Sequence, residues 1–238
     1  MGPGLRRNQS LAVLLGIVLV YLVIRRHIIN ENDIILFAVI VPSIILHEVT
    51  HGVVALYFGD DTAKRAGRLT LNPLVHVDPF GTLILPAILT LVGFGAFGYA
   101  KPVPVNLARL RSPRNHGLLV SLAGPLTNIV LALIAGVILR SIDPTGAVTL
   151  FGNNLLNRIL LFFGYANVLL AVFNLIPIPP LDGSAVIERM LPRSWWPSYL
   201  HFRQYAMVGL LVVVLVFPAV LNRIFTPAFN LWIHLLGW

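Results

Sequence analysis

The sequence predicts an all-α polytopic membrane protein with about five to six transmembrane helices and a small strand or re-entrant element between the second and third. Two observations carry that class. First, 57% of the 238 residues are hydrophobic and 11% are charged, and the mean hydropathy is +0.86, too apolar for a soluble domain of this length. Second, apolar runs approaching the length needed for a ~30 Å hydrocarbon core recur along the chain between short polar loops. The lack of cysteine removes disulfides and thiolates, so a metal must be held by His, Asp or Glu. The formal charge is +8, but the arginines cluster at the ends of apolar runs. That distribution points to topology and to the anionic surface of a lipid bilayer, with no nucleic acid as partner.

In chain order, residues 11–24 form the first apolar run, flanked by Arg6, Arg7, Arg25 and Arg26. No small-residue cleavage site follows it, so it reads as a spanning helix completed by snorkelling arginines, not as a signal peptide. A polar stop with Asp33 as N-cap precedes the second run, residues 34–58, which holds Pro42 and the stretch His47-Glu48-Val49-Thr50-His51. Histidines at i and i+4 share one helix face and can reach one metal ion, and the spacing suits zinc. Glu48 is placed to take a proton from a water that the metal acidifies. Three ionisable groups inside an apolar helix mark a functional site. At 1.5 Å per residue, His51 lies about 10 Å from the 58 end of the run and His47 about 20 Å from the 34 end, so the site is below the membrane surface.

Residues 68–73 alternate as a short strand or hairpin would, and residues 80–100, with Pro86 and four glycines, suit a re-entrant segment. Residues 101–106 are extended by Pro102 and Pro104. Residues 118–139 span next and contain Asn128, a costly amide unless partnered. Residues 159–176 span again and end in Asn174-Leu175-Ile176-Pro177-Ile178-Pro179-Pro180-Leu181-Asp182-Gly183. The prolines unwind the chain near membrane depth, where a carboxylate can reach a metal, and Asp182 is the candidate. Gly183 is expected to supply an unusual backbone dihedral for the turn. Residues 191–204, with Trp195, Trp196 and Tyr199, form an interfacial segment. Residues 207–221 span, and 224–238 are apolar but short.

The ordered set of HEVTH, GTLILPAILTLVGFGAFGYAKPVPVN, SLAGPLTN and NLIPIPPLDG, over residues 34 to 190, resembles the site-2 protease family of intramembrane zinc metalloproteases. The match is to its compact prokaryotic branch, without a PDZ or CBS module. The resemblance implies one Zn2+ held by His47, His51 and Asp182, with Glu48 as general base. It implies that Asn128 and Asn174 position or polarise the substrate peptide, although both asparagines have a purely interhelical reading too. The implied substrate is a single-span membrane protein, and the implied location is a prokaryotic inner membrane. Oligomeric state is left open.

By this reading residues 1–33 are an N-terminal gating helix and loop, 34–190 the catalytic core, and 191–238 an interfacial segment with further gating helices. Placing the N-terminus, residues 59–116 and residues 182–204 on one side collects 12 of the 17 Lys and Arg residues there, which makes that side cytoplasmic. The rival from another class is a non-proteolytic metal-binding membrane protein, a transporter or helix chaperone. A transporter would show ligands on several spans and an internal repeat, and neither is visible. A membrane glutamate-zincin needs a downstream glutamate as third ligand, and Glu188 is the candidate available.

Overall fold

The computed structural model describes residues 18, 21, 30–85, 100–144 and 154–237. Among these the α-helices are α1 (Glu31–Tyr57), α2 (Thr62–Arg65), α3 (Pro73–His76), α4 (Pro113–Ile142), α5 (Leu155–Leu175), α6 (Ser184–Met190), α7 (Trp196–Val216) and α8 (Pro218–Leu235). The first expected span, residues 11–24, lies outside the described residues apart from positions 18 and 21. Helices α1, α4 and α5 are each long and apolar enough to cross a membrane, and α7 with α8 adds a fourth candidate, bent by 81°, that is one broken span or a re-entrant loop. The chain is an integral membrane protein, with three to four candidate spans among the described residues where the sequence predicted five to six.

Two compact units are distinguished: residues 1–34 with 72–102, and residues 35–71 with 103–238. In the first unit, the start of α1 is a reciprocal capping box. The Asn30 amide donates to Asp33 Oδ2 at 2.9 Å and the Asp33 amide donates to Asn30 Oδ1 at 3.1 Å. Asn30 is therefore the cap, one turn before the expected Asp33. Asn72 caps α3 by accepting from the Leu74 amide at 3.1 Å. Pro79–Ile84 makes a short π-helical turn, started by Asp78, which accepts from the Gly81 amide at 2.7 Å. The rest of the expected re-entrant segment, residues 86–99, lies outside the described residues.

No strand forms among the described residues, against the expectation for 68–73. The stretch is framed by two helix ends: Gly67, at φ 65°, terminates the turn after α2, and Asn72 begins α3. Local capping overrides a two-residue alternation that long.

In the second unit α4 and α5 form the most extensive helix pair, and α8 packs on both. Their shared core is Ala132, Leu139, Leu161, Trp232 and Leu236. Val39 of α1 packs with Phe162 and Ala166 of α5, and Ala55 of α1 packs with Val120 of α4 and with Leu110. The site helix is thus held near both ends. On the other face of α4, Val130, Ile134 and Val137 are exposed, as lipid-facing side chains are. The expected break between an interfacial segment at 191–204 and a span at 207–221 is absent, because α7 runs through both. The chain breaks instead at Pro218, which has no N–H to extend α7 and stands in the first turn of α8.

Just beyond α1, Asp60 is fully buried and organises the loop. It accepts from the Thr62 hydroxyl and from the amides of Thr62 at 3.0 Å and Asn106 at 2.6 Å. Burial pushes its carboxyl upward, but the Thr62 hydroxyl, the Asn106 and Thr62 amides and the Arg109 charge together hold it below the usual carboxylate range.

Candidate metal centre

His47 and His51 are buried on one face of α1, four residues apart. Each ring is fixed through Nδ1, which lies 2.6 Å from Asn128 Oδ1 in His47 and 2.7 Å from the Val120 carbonyl in His51. The Val120 oxygen can only accept, so Nδ1 of His51 carries the hydrogen and Nε2 is left with a lone pair. The two Nε2 atoms are 3.0 Å apart. Asp182 Oδ2 stands 3.1 Å from Nε2 of His47 and 3.3 Å from Nε2 of His51.

Asp182 reaches that point because the chain unwinds after Leu175 and folds back on itself. The Gly183 amide donates to the Asn174 carbonyl at 2.6 Å, and the Ala185 amide donates to the Asp182 carbonyl at 3.0 Å. Gly183 has φ −57° and ψ −22°, ordinary helical values, which corrects the expectation of an unusual dihedral. Its role is close approach: a Cβ there would lie 2.3 Å from the Leu175 carbonyl oxygen.

The donor set fits zinc. Ligand atoms about 2.0–2.1 Å from a tetrahedral zinc ion are about 3.3 Å from each other, close to the separations of these three atoms. Asp182 Oδ2 is buried with no hydrogen-bond partner, as expected for a carboxylate facing two nitrogen lone pairs and awaiting a cation. Gly124 of α4 leaves the space open, since a Cβ there would lie 2.5 Å from His51 Nε2 and 2.6 Å from His47 Nε2. Among the described residues, His47, His51 and Asp182 form a group able to hold a metal ion.

The sequence profile of peptidase family M50 matches residues 35–152 and 144–217. The chain belongs to this family. It is 41% identical over 175 residues to the protein named "Putative zinc metalloprotease YwhC" of Bacillus subtilis, covering 73% of this chain and 77% of that one. Two proteins named "Putative zinc metalloprotease Rip2" and "Putative zinc metalloprotease MJ0611" are also similar. The first, from Mycolicibacterium smegmatis, is 36% identical over 77% of this chain and 66% of its own. The second, from Methanocaldococcus jannaschii, is 32% identical over 70% of each. No solved structure matches. This M50 protein is a zinc metalloprotease, and the site-2 protease resemblance drawn from its motifs holds.

The remaining site candidates of this M50 chain fall in different places. Glu48 is half-buried and accepts from the Val103 amide through Oε2 at 2.8 Å. Gly52, one turn of α1 further on, allows that approach, because a Cβ there would lie 2.9 Å from Val103 Cγ1. Asn174 is half-buried, and its Nδ2 donates to the Leu170 carbonyl at 3.0 Å. Asn128 is fully buried, its amide shared between His47 and Asn167. Glu188, the rival third ligand, lies elsewhere: its Oε1 accepts from Tyr199 at 2.8 Å and from Arg203 at 3.2 Å. Asn167 and Ser43, fully buried and linked to Asn128, escaped the sequence reading. The signal was present, since an amide in the apolar run 159–176 needs a partner as much as Asn128 does.

Proposed function

We propose that this M50 peptidase hydrolyses peptide bonds within the transmembrane segments of single-span membrane proteins. The observation that carries the reading is the convergence of His47, His51 and Asp182 beside Glu48, on a helix apolar enough to span a bilayer. His47, His51 and Asp182 hold the zinc, which when bound supplies a Lewis acid that polarises a carbonyl and acidifies water. Glu48 takes the proton of the attacking water and returns it to the leaving amine. The Val103 amide fixes one oxygen of that carboxylate. A substrate helix must unwind locally before its carbonyl is accessible, and Asn174, beside the unwound segment, is the residue suited to hold it there.

The positive-inside rule sets the loops 59–71 and 103–116 on the cytoplasmic side of a prokaryotic cell membrane. An impermeant thiol reagent should fail to label Thr62→Cys or Ser112→Cys from outside intact cells, and efficient labelling would invert this topology. The function is tested by incubating purified protein in detergent with a model single-span substrate. Cleavage that needs zinc and is lost in Glu48→Gln supports it. Stoichiometric zinc with no cleavage of any transmembrane substrate would favour a non-proteolytic metal-binding protein.

A further inference from the structure

Behind His47 runs a line of hydrogen bonds that hydrolysis itself does not use. Asn128 Oδ1 lies 2.6 Å from His47 Nδ1, and Asn128 Nδ2 donates to Asn167 Oδ1 at 2.8 Å. Asn167 Nδ2 donates to Ser43 Oγ at 2.9 Å and to the Phe163 carbonyl at 2.8 Å, and Ser43 Oγ donates to the Val39 carbonyl at 2.8 Å. Asn128, Asn167 and Ser43 are each 0% exposed and come from α4, α5 and α1. Three polar side chains in so dry a place are unfavourable unless every one is satisfied, and here they satisfy each other.

The line has a direction. It ends on the carbonyls of Val39 and Phe163, which only accept. The Ser43 hydrogen points to Val39, so Ser43 Oγ must accept, and Asn167 must turn its NH2 toward Ser43 and Phe163. Asn167 then presents Oδ1 to Asn128, which must answer with Nδ2 and so turns its own Oδ1 to His47. That oxygen carries no hydrogen, so His47 holds its proton on Nδ1 and its lone pair on Nε2.

We propose that Asn128 is a positioning residue of the zinc site. Backed by Asn167 and Ser43, it locks His47 in the Nδ1–H tautomer and sets the ring plane so that Nε2 faces His51 and Asp182. This rests on the reading of His47 as a zinc ligand. His51 gets the same service directly from the Val120 carbonyl, so both imidazoles are oriented from behind, one by backbone and one by a relay across three helices. With no exposed surface, Asn128 has no face to offer a substrate, which separates it from Asn174.

The test measures zinc affinity of the full chain in detergent, by competition with a chelator, for Asn128→Leu, Asn128→Asp and His47→Ala. Asn128→Leu should bind zinc about 10–100-fold more weakly. Asn128→Asp, which keeps an acceptor oxygen at Nδ1, should recover most of that loss. The visible bands of Co2+-loaded Asn128→Leu should shift, reporting an altered ligand field. Unchanged zinc affinity in Asn128→Leu with a lower unfolding temperature would reduce Asn128 to a contact between helices and overturn the proposal. A raised KM alone would make it a substrate contact and overturn it equally. If Asn128→Leu does not fold, Asn167→Ala, which removes the acceptor that orients Asn128, decides: weakened zinc binding supports the relay, and unchanged binding overturns it. Undiminished zinc affinity in His47→Ala is a different result, which removes the ligand assignment itself.

Discussion

The helix bundle has two contact regions, about 12 Å apart along α4, that solve opposite problems. In one α4 meets α5, and in the other both helices meet the α8 segment. Around Asn128 the contact is polar: two amides and a hydroxyl are fully buried, and every atom has one allowed orientation. Around Gly136 and Gly164 it is dry: a Cβ at Gly136 would lie 2.4 Å from Leu236, one at Gly164 would lie 2.2 Å from the Trp232 ring, and the indole NH donates to the Ala132 carbonyl at 2.9 Å. The dry region is specified by volume and the polar one by direction. Loss of volume should therefore weaken the whole bundle, whereas loss of direction should disturb the centre it aims at.

The largest effect should come from the chemistry at the polar end. Glu48→Gln is expected to lower cleavage by about 10²–10⁴-fold or more while zinc content stays stoichiometric, because the amide cannot take a proton yet leaves the histidines alone. Measurable proteolysis by that variant would remove Glu48 as the base. Next comes the third ligand. Asp182→Ala should lose both zinc and activity, and Glu188→Ala, which breaks only the contacts to Tyr199 and Arg203, should keep both in substantial part. Metal analysis of the two proteins side by side checks this, and the reverse pattern would move the metal site to Glu188.

Trp232→Ala tests the dry end. It should destabilise the protein by about 3–5 kcal/mol in detergent unfolding, yet leave zinc affinity of the folded fraction unchanged. A selective loss of zinc would mean that the two regions are not separable. The smallest effect belongs to Asp60, outside both. Its folded carboxyl is held below its unfolded value, so its contribution is present above the unfolded value, about 3.9, and is lost as pH falls through the folded one. Asp60→Asn should thus be less stable than the parent at neutral pH and should lose less stability on acidification below about pH 4. Parallel pH–stability curves for the two would exclude the assigned role.

The two regions were not equally legible in the sequence. The meeting of His47 and His51 was readable because helix periodicity alone puts i and i+4 on one face, and that of Asp182 with them because a run of prolines must unwind a span. Asn128 was visible as a polar residue lacking a partner, but its partners were not, since Asn167 and Ser43 are 39 and 124 residues from the groups they meet. The dry region was invisible for another reason. Residues 224–238 look like any short apolar run, and that Trp232 fits against Gly164 is a matter of shape that no local pattern records. The strand expected near 68–73 failed because capping residues on both sides, Gly67 and Asn72, outweighed a brief alternation. Gly183 was rightly singled out for the wrong cause, because steric proximity to a distant carbonyl leaves no trace in local sequence.

One consequence concerns genetics. Val103 stands between two prolines, which have no amide hydrogen, so the stretch 102–104 offers a single backbone donor, and Glu48 Oε2 takes it. Because the donor is main chain, replacing Val103 with alanine, or with nearly any other residue, leaves it in place. An alanine scan of this segment would report only the lost packing of the buried Val103 side chain and miss the main-chain contact to Glu48. Only Val103→Pro deletes the hydrogen, so of the nineteen possible replacements eighteen keep the donor to Glu48 and one removes it.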